Sequence, residues 1–286
     1  MSDKKKSMSN KKTKKIFIPV IACLLLSAAA CKKGNNNNTP NGNRISSINS
    51  ASFNHIYSYD EQNRLAAIDY SISSHMKAVY SASGIVLQWY DGNYNPTDHR
   101  MEMNLVNGRV QYVVETVSNY KNEHSYSYDN EGRMNRAQAT RTRIDNNQLQ
   151  NKGEVLFTWN DDRLTKVVHT VQDRDGIKTD SVIWEMSYYD GKKFITWEDV
   201  GFSYFGKTPL AGMATGFGYR LPVTFLSEGM VPSVAAMKGL NQKKYYYHAG
   251  QWQFSSNTSV YPENYYQYDT QGRLTRWLTA IEIIWK

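Results

Sequence analysis

The chain has 286 residues, with 34 Lys and Arg against 26 Asp and Glu, for a formal charge of +8. That excess is local, because residues 1–30 hold seven of the basic residues and one acid, leaving 27 against 25 in the rest. A nearly neutral remainder with no basic run after Lys33 excludes a nucleic-acid surface, which needs cations gathered on one face. The two cysteines are Cys23 and Cys31.

In chain order, the first fifteen residues carry seven lysines and one acid, and "IFIPVIACLLLSAAA" follows, ending just before Cys31. A basic start, an apolar run and a small-residue stretch are the grammar of an export signal, and the run is short for a spanning helix of about 20 residues. The step "LSAAAC" resembles a bacterial lipoprotein lipobox, with Ala28 where Leu is commonest. The resemblance implies cleavage before Cys31 and acylation of that residue. A plain secretory signal and an uncleaved anchor are the alternatives. Two or more acyl chains give stable anchoring at roughly 0.8 kcal/mol per buried methylene. With Cys23 inside the signal and Cys31 acylated, no thiol is left for a disulfide, a Cys-ligated zinc site or a nucleophile.

Three parts are thus expected: a signal peptide at 1–30, a flexible tether at 31–44 and a β domain at 45–286. The tether's "GNNNNTPNGNR" has nothing to bury and reaches roughly 20 Å. The residues after Cys31 leave the membrane leaflet open. Lys32 is not the Asp that resembles an inner-membrane retention signal, and no acidic export run follows. The expected location is the cell envelope, by lipid anchor at the outer membrane, on either its periplasmic or its surface side.

Within the domain one phrase recurs: "YSYDEQNRLA" at 57–66, "YSYDNEGRMNR" at 126–136 and "YYQYDTQGRLTR" at 265–276. Asp suits the first position of a type I turn, and Gly132, Gly272 or Asn63 suits the left-handed position that follows. The spacing predicts a hairpin corner with a bulged turn. Tyr57 with Tyr59, and Tyr126 with Tyr128, then share a face, while Asp and Arg meet across the turn. An altered copy lies at 157–167, "FTWNDDRLTKV", with weaker echoes at 88–94, 105–110 and 187–194.

These phrases resemble the YD repeats of Rhs-type cell-surface proteins and of small bacterial lipoproteins of unknown function that carry a few degenerate copies. The resemblance covers scattered pieces of the domain. It implies an extracytoplasmic, all-antiparallel β protein and no catalytic residue.

Alternation elsewhere predicts more strands, with Val155, Phe157 and Trp159 on one face, Val182, Trp184, Met186 and Tyr188 on another, and Ile281, Ile283 and Trp285 together. The expected fold is all-β: an antiparallel meander of a dozen or more strands forming one large curled sheet or open barrel. Residues 199–241, rich in Gly and Pro, break the rhythm and predict an irregular or short-helical crossover that packs on the sheet.

Signals for chemistry are weak. "GFSYFGKT" at 201–208 matches a phosphate-loop pattern, but Phe202, Tyr204 and Phe205 fill it and Pro209 follows, so a turn explains it better. "QDRDGIKTD" at 172–180 has the look of part of a calcium loop, and a hairpin turn explains the same residues. The six histidines, His55, His75, His99, His124, His169 and His248, show no metal-ligand spacing. Glu198 and Asp199 point to opposite faces and form no glycosidase pair. No catalytic residue, cofactor or metal site is nominated, and no enzyme activity is expected.

The aromatic surplus is the functional lead. Tyr245, Tyr247, Trp252, Tyr266 and Tyr268 are the candidate ligand-stacking residues, able to stack on sugar faces or bury apolar groups, with cross-strand pairing as the plainer reading. The expected function is a lipid-anchored, extracytoplasmic binding or interaction module for a glycan or protein. The alternatives are an open-barrel carrier of an apolar ligand and an enzyme of unassigned chemistry. The expected partners are the membrane through Cys31 and a glycan or protein ligand; oligomeric state is not legible.

Overall fold

The computed structural model describes residues 44–51, 53–70, 73–205 and 235–286. The signal peptide, Cys31 and most of the tether lie outside the described residues. Antiparallel strands dominate, 17 of them in one sheet, and no α-helix occurs among the described residues.

The recurring phrase builds corners as its residues dictate. Asp129 Oδ1 accepts from the amides of Glu131 and Arg133, at 3.0 and 2.9 Å, and Oδ2 accepts from Arg133 Nε at 2.7 Å. Asp60 and Asp269 make the same three bonds with Gln62, Arg64, Gln271 and Arg273. The residue that must turn left-handed is Asn63, Gly132 or Gly272, at φ of 58°, 78° and 75°. An Asp that bonds the backbone two and four residues on mimics part of a ladder, which lets the strand reverse without orphaned amides. Asp91 and Asp173 make equivalent backbone bonds, to Asn93 and Asn95 and to Asp175 and Ile177. The calcium-like stretch is therefore the hairpin turn expected from it.

The strands follow in chain order. They are β1 (Ile45–Asn49), β2 (Asn54–Tyr59), β3 (Leu65–Tyr70), β4 (Ser74–Tyr80), β5 (Gly84–Asp91) and β6 (Pro96–Val106). Next come β7 (Arg109–Val117), β8 (Tyr120–Tyr128), β9 (Met134–Arg143), β10 (Gln148–Asn160), β11 (Arg163–Asp173) and β12 (Lys178–Tyr188). The last are β13 (Met237–His248), β14 (Gln251–Val260), β15 (Tyr266–Tyr268), β16 (Leu274–Trp277) and β17 (Ile281–Trp285). Each pairs with its successor from β1 to β14, and β15, β16 and β17 continue around to β1. No register joins β14 to β15 among the described residues, so the sheet is unclosed and those two strands are its edges.

Strand length rises around the sheet, from three residues in β15 and five in β1 to nine in β7 and 13 in β10. One rim carries the three Asp-to-Arg corners; the opposite rim therefore stands low near β15–β3 and high near β6–β14.

Burial assigns the faces. Met101 and Met103 are buried while Arg100, Glu102 and Asn104 are exposed, and the predicted sets at 155–159, 182–188 and 281–285 all face the core. The core is completed by the stretch after β12. Phe202 and Phe205 are fully buried, with Trp197 beside them. This stretch touches strands far apart in the sheet. Ile45 donates its amide to Asp199 O, Leu65 to Gly201 O, the Phe205 ring meets Tyr126 edge-on at 5.7 Å, and Phe194 meets Trp277 at 5.3 Å. One short segment reaching β1, β3, β8 and β16 requires the sheet to curl around it, so it fills the corner end of the interior.

The interruption expected at 199–241 thus begins earlier, after Tyr188, and ends earlier, at β13. Its described parts, residues 189–205 and 235–236, include a 3-10 turn at Ser203–Phe205. The remainder, including the short helix expected from Thr208, lies outside the described residues.

Candidate functional site

The hairpin β13–β14 stands at the high rim and ends the sheet. Ala249 and Gly250, at φ of 49° and 81°, make a two-residue turn of the kind whose twist matches a hairpin. Above it, Tyr247 lies opposite Trp252 and Tyr245 opposite Phe254. The rings meet at 5.6 Å with an interplanar angle of 62°, and at 5.0 Å with one of 44°. All four remain exposed, by 37% for Tyr245, 51% for Tyr247, 49% for Trp252 and 57% for Phe254.

The face they occupy follows from register. Val182 and Trp184 face the core and pair with Lys244 and Gln242, so Tyr245 and Tyr247, one residue out of step, face outward. The usual polarity is inverted here, with aromatic rings toward solvent and Gln253, Ser255 and Asn257 on the inner side. Four positions two apart on paired strands put their rings on one face as an exposed aromatic strip with phenol and indole handles.

The five candidate residues separate into two groups. Tyr245, Tyr247 and Trp252 come together: they lie on paired strands, as the plainer reading expects, and their rings stay exposed. Tyr266 is a correction: it is 5% exposed, packs edge-on against Tyr189 and Phe194, and donates its hydroxyl to Met237 O. Tyr268 is half-buried and donates to Lys193 O. These two face inward because they sit on a corner strand of the same kind as Tyr126 and Tyr128. Phe254 was missed by the sequence reading; its signal was its place opposite Tyr245, counted outward from Ala249–Gly250.

A groove of about 490 Å³ lies over the outer faces of β7–β11, lined by Tyr112, Glu123, Gln138, Lys152, Glu154 and Gln172 among others.

The histidines mostly face inward. His99 Nε2 and Asn122 Nδ2 bond the carboxylate of Glu115 at 2.9 and 2.8 Å, with His124 Nε2 4.0 Å away. Burial pushes Glu115 up, but its bond to His99 and the charge of His124 outweigh this and hold it below its ordinary value. Burial pushes His124 and His169 down to about 4. Among the described residues no three His, Cys, Asp or Glu side chains are placed to hold a metal ion. Of the phosphate-loop match, Gly201 is packed against Tyr59 and Leu65, and Phe202 and Phe205 are core; its Lys207 and Thr208 lie outside the described residues.

No protein-family model matches the chain, and no curated protein matches its sequence. Among solved structures it is similar to a porin-like protein from Bacteroides vulgatus, with 10% identity and a TM-score of 0.50, over 85% of this chain and 93% of that one. A porin-like protein from Bacteroides uniformis is similar over 85% of this chain and 98% of that one, with 11% identity and a TM-score of 0.48. The first likeness shows a shared large antiparallel β fold.

Proposed function

We propose that this is a lipid-anchored envelope protein that binds a glycan chain on the outward aromatic strip of β13–β14. The observation that carries the reading is the pair of exposed cross-strand ring pairs, Tyr247 with Trp252 and Tyr245 with Phe254, at the turn end of the β13–β14 hairpin. Flat rings match the apolar faces of sugars, and Ser256 and Thr258, on the same outward face of β14, are placed to bond hydroxyls. A carrier of an apolar ligand needs a dry interior, whereas here Trp197, Phe202 and Phe205 occupy the corner end of the core and the 490 Å³ groove lies on the outer face.

Anchoring rather than spanning fits the side-chain distribution. A membrane-crossing barrel is apolar outside and polar within; this sheet has Met101, Met103, Val155 and Phe157 inside and Arg100, Glu102, Lys152 and Glu154 outside. No helix among the described residues is long and apolar enough to cross a membrane. Attachment then falls to Cys31, and the corner phrases support kinship with YD-repeat lipoproteins.

The test is retention on polysaccharide affinity gels and a glycan array. Trp252→Ala and Tyr247→Ala should each weaken binding about tenfold, the effect of about 1.4 kcal/mol, with the circular-dichroism spectrum unchanged. Absence of any glycan bound by the wild-type protein overturns the ligand class. Separately, Cys31→Ala should move the protein from the membrane to the soluble fraction.

A further inference from the structure

We propose that the free edge of β14 is a self-association surface, where a second copy of this chain adds its own β14 in antiparallel register about a two-fold axis. The edge lacks the devices that normally block strand addition. Natural edges are kept short, bulged, charged or interrupted by proline. β14 is ten residues long, "QWQFSSNTSV", with no charged residue and no proline. Its ladder to β13 runs through ten consecutive pairs with no bulge, whereas β12–β13 and β15–β16 both shift register. Nine of its ten residues are exposed, so it projects as a flat strand.

This chain's opposite edge cannot cover it. β15 has three residues and already pairs with β16. The link Tyr261–Tyr265 ties the two edges only at the corner end, where Tyr261 donates its amide to Lys238 O and accepts from the Tyr189 hydroxyl. Toward the high rim the backbone groups of β14 that point away from β13 have no strand beside them among the described residues.

The occupant follows from symmetry and charge. An antiparallel two-fold pairing sets residues equidistant from the axis opposite one another and a residue on the axis beside its own copy, so like charges near the axis would repel. An uncharged strand is free of that penalty, and Ser255, Ser256, Asn257, Thr258 and Ser259 can exchange hydroxyl and amide bonds across the axis. Pairing would also join the two aromatic strips on one continuous outer face. The proposal does not rest on glycan binding, because the contacts are made by the strand backbone.

Sedimentation velocity of the purified chain over about 2 to 200 µM tests it. A monomer–dimer equilibrium is expected, with amide exchange of β14 slowing as dimer forms. Ser256→Lys with Thr258→Lys should raise the dimer dissociation constant at least about tenfold, the scale of about 1.4 kcal/mol. The same charge added off the edge, Ser127→Lys with Asn135→Lys, should leave it unchanged. A wild-type monomer throughout, a dimer insensitive to the β14 lysines, or open-ended oligomers would each overturn the proposal. Trp252→Ala, by contrast, should weaken glycan binding about tenfold and keep the dimer, which separates this failure from that of the binding reading.

Discussion

The hydroxyl of Tyr128 donates to the carbonyl of Val110 at 2.7 Å, and the guanidinium of Arg109 lies over the same ring, 5.7 Å from its centroid. The relation repeats around the sheet. Tyr59 donates to Ile45 O, Tyr80 to Leu65 O, Trp159 to Met134 O, Tyr188 to Leu164 O and Trp285 to Leu274 O. In every case the acceptor directly follows an arginine and is the first or second residue of a strand, and the aromatic residue is the last or last but one of the strand paired with it. Arg64 lies over Tyr80 and Arg273 over Trp285 in the same way. The repeated phrase therefore closes two-stranded units at their open end, joining the start of one strand to the end of the next.

Removing one closure should have a bounded cost. Tyr128→Phe deletes only the hydroxyl and should cost about 1 kcal/mol, the net value of such a bond. Tyr128→Ala should cost about 3 kcal/mol or more through lost packing. Urea unfolding of both variants measures the difference.

Asp129→Ala removes three bonds at one corner and leaves two amides to water. The melting temperature should fall by about 2–4 °C, the shift that about 1 kcal/mol produces in a domain of this size. Asp129→Asn should recover part of it, because an amide oxygen still accepts from the backbone.

Gly201 holds the interior segment against the sheet. Its φ is +68°, and a Cβ there would sit 2.9 Å from Tyr59 Cε1 and 3.0 Å from Leu65 N. Gly201→Ala combines a left-handed strain of about 1–3 kcal/mol with that clash. The expected outcome is lost cooperativity of unfolding and a melting temperature lower than in Gly176→Ala, whose added Cβ would meet no atom within 4 Å.

Acid should act in two windows. His124 and His169, pushed by burial to about 4, stay neutral in the fold while the unfolded chain protonates them near 6.5. The unfolded state then binds more protons, so stability falls as pH drops from about 6.5 toward 4, by up to about 1.4 kcal/mol per unit for each histidine. His124→Gln should flatten part of that slope. The corner carboxylates act lower: burial raises Asp60 and Asp129, but their Arg bonds outweigh it, and for Asp269 the backbone amide of Arg273 leads. All three lie below the ordinary value, so their contribution is present above about pH 4 and lost as they protonate in stronger acid. Thermal melts between pH 7 and 3 check both windows.

Local chemistry alone determined the corners. An Asp, two polar residues, a residue tolerant of positive φ and an Arg contain all the groups that bond one another at 60–64, 129–133 and 269–273, so no distant contact was needed to read them. Strand faces were equally legible at Val155, Phe157, Val182 and Trp184, because a two-residue period survives wherever one face is buried.

Only the tertiary structure decided what those strands enclose. Tyr266 and Tyr247 look alike in sequence, each within an aromatic run beside a polar residue; one points inward and is packed by Phe194 and Tyr189, and the other is set on the outer face by the register of β13 on β12. The aromatic-to-carbonyl closures were hidden for a related reason. They join residues 11 to 25 apart in the chain, and a backbone acceptor leaves no mark on the identity of the residue that carries it.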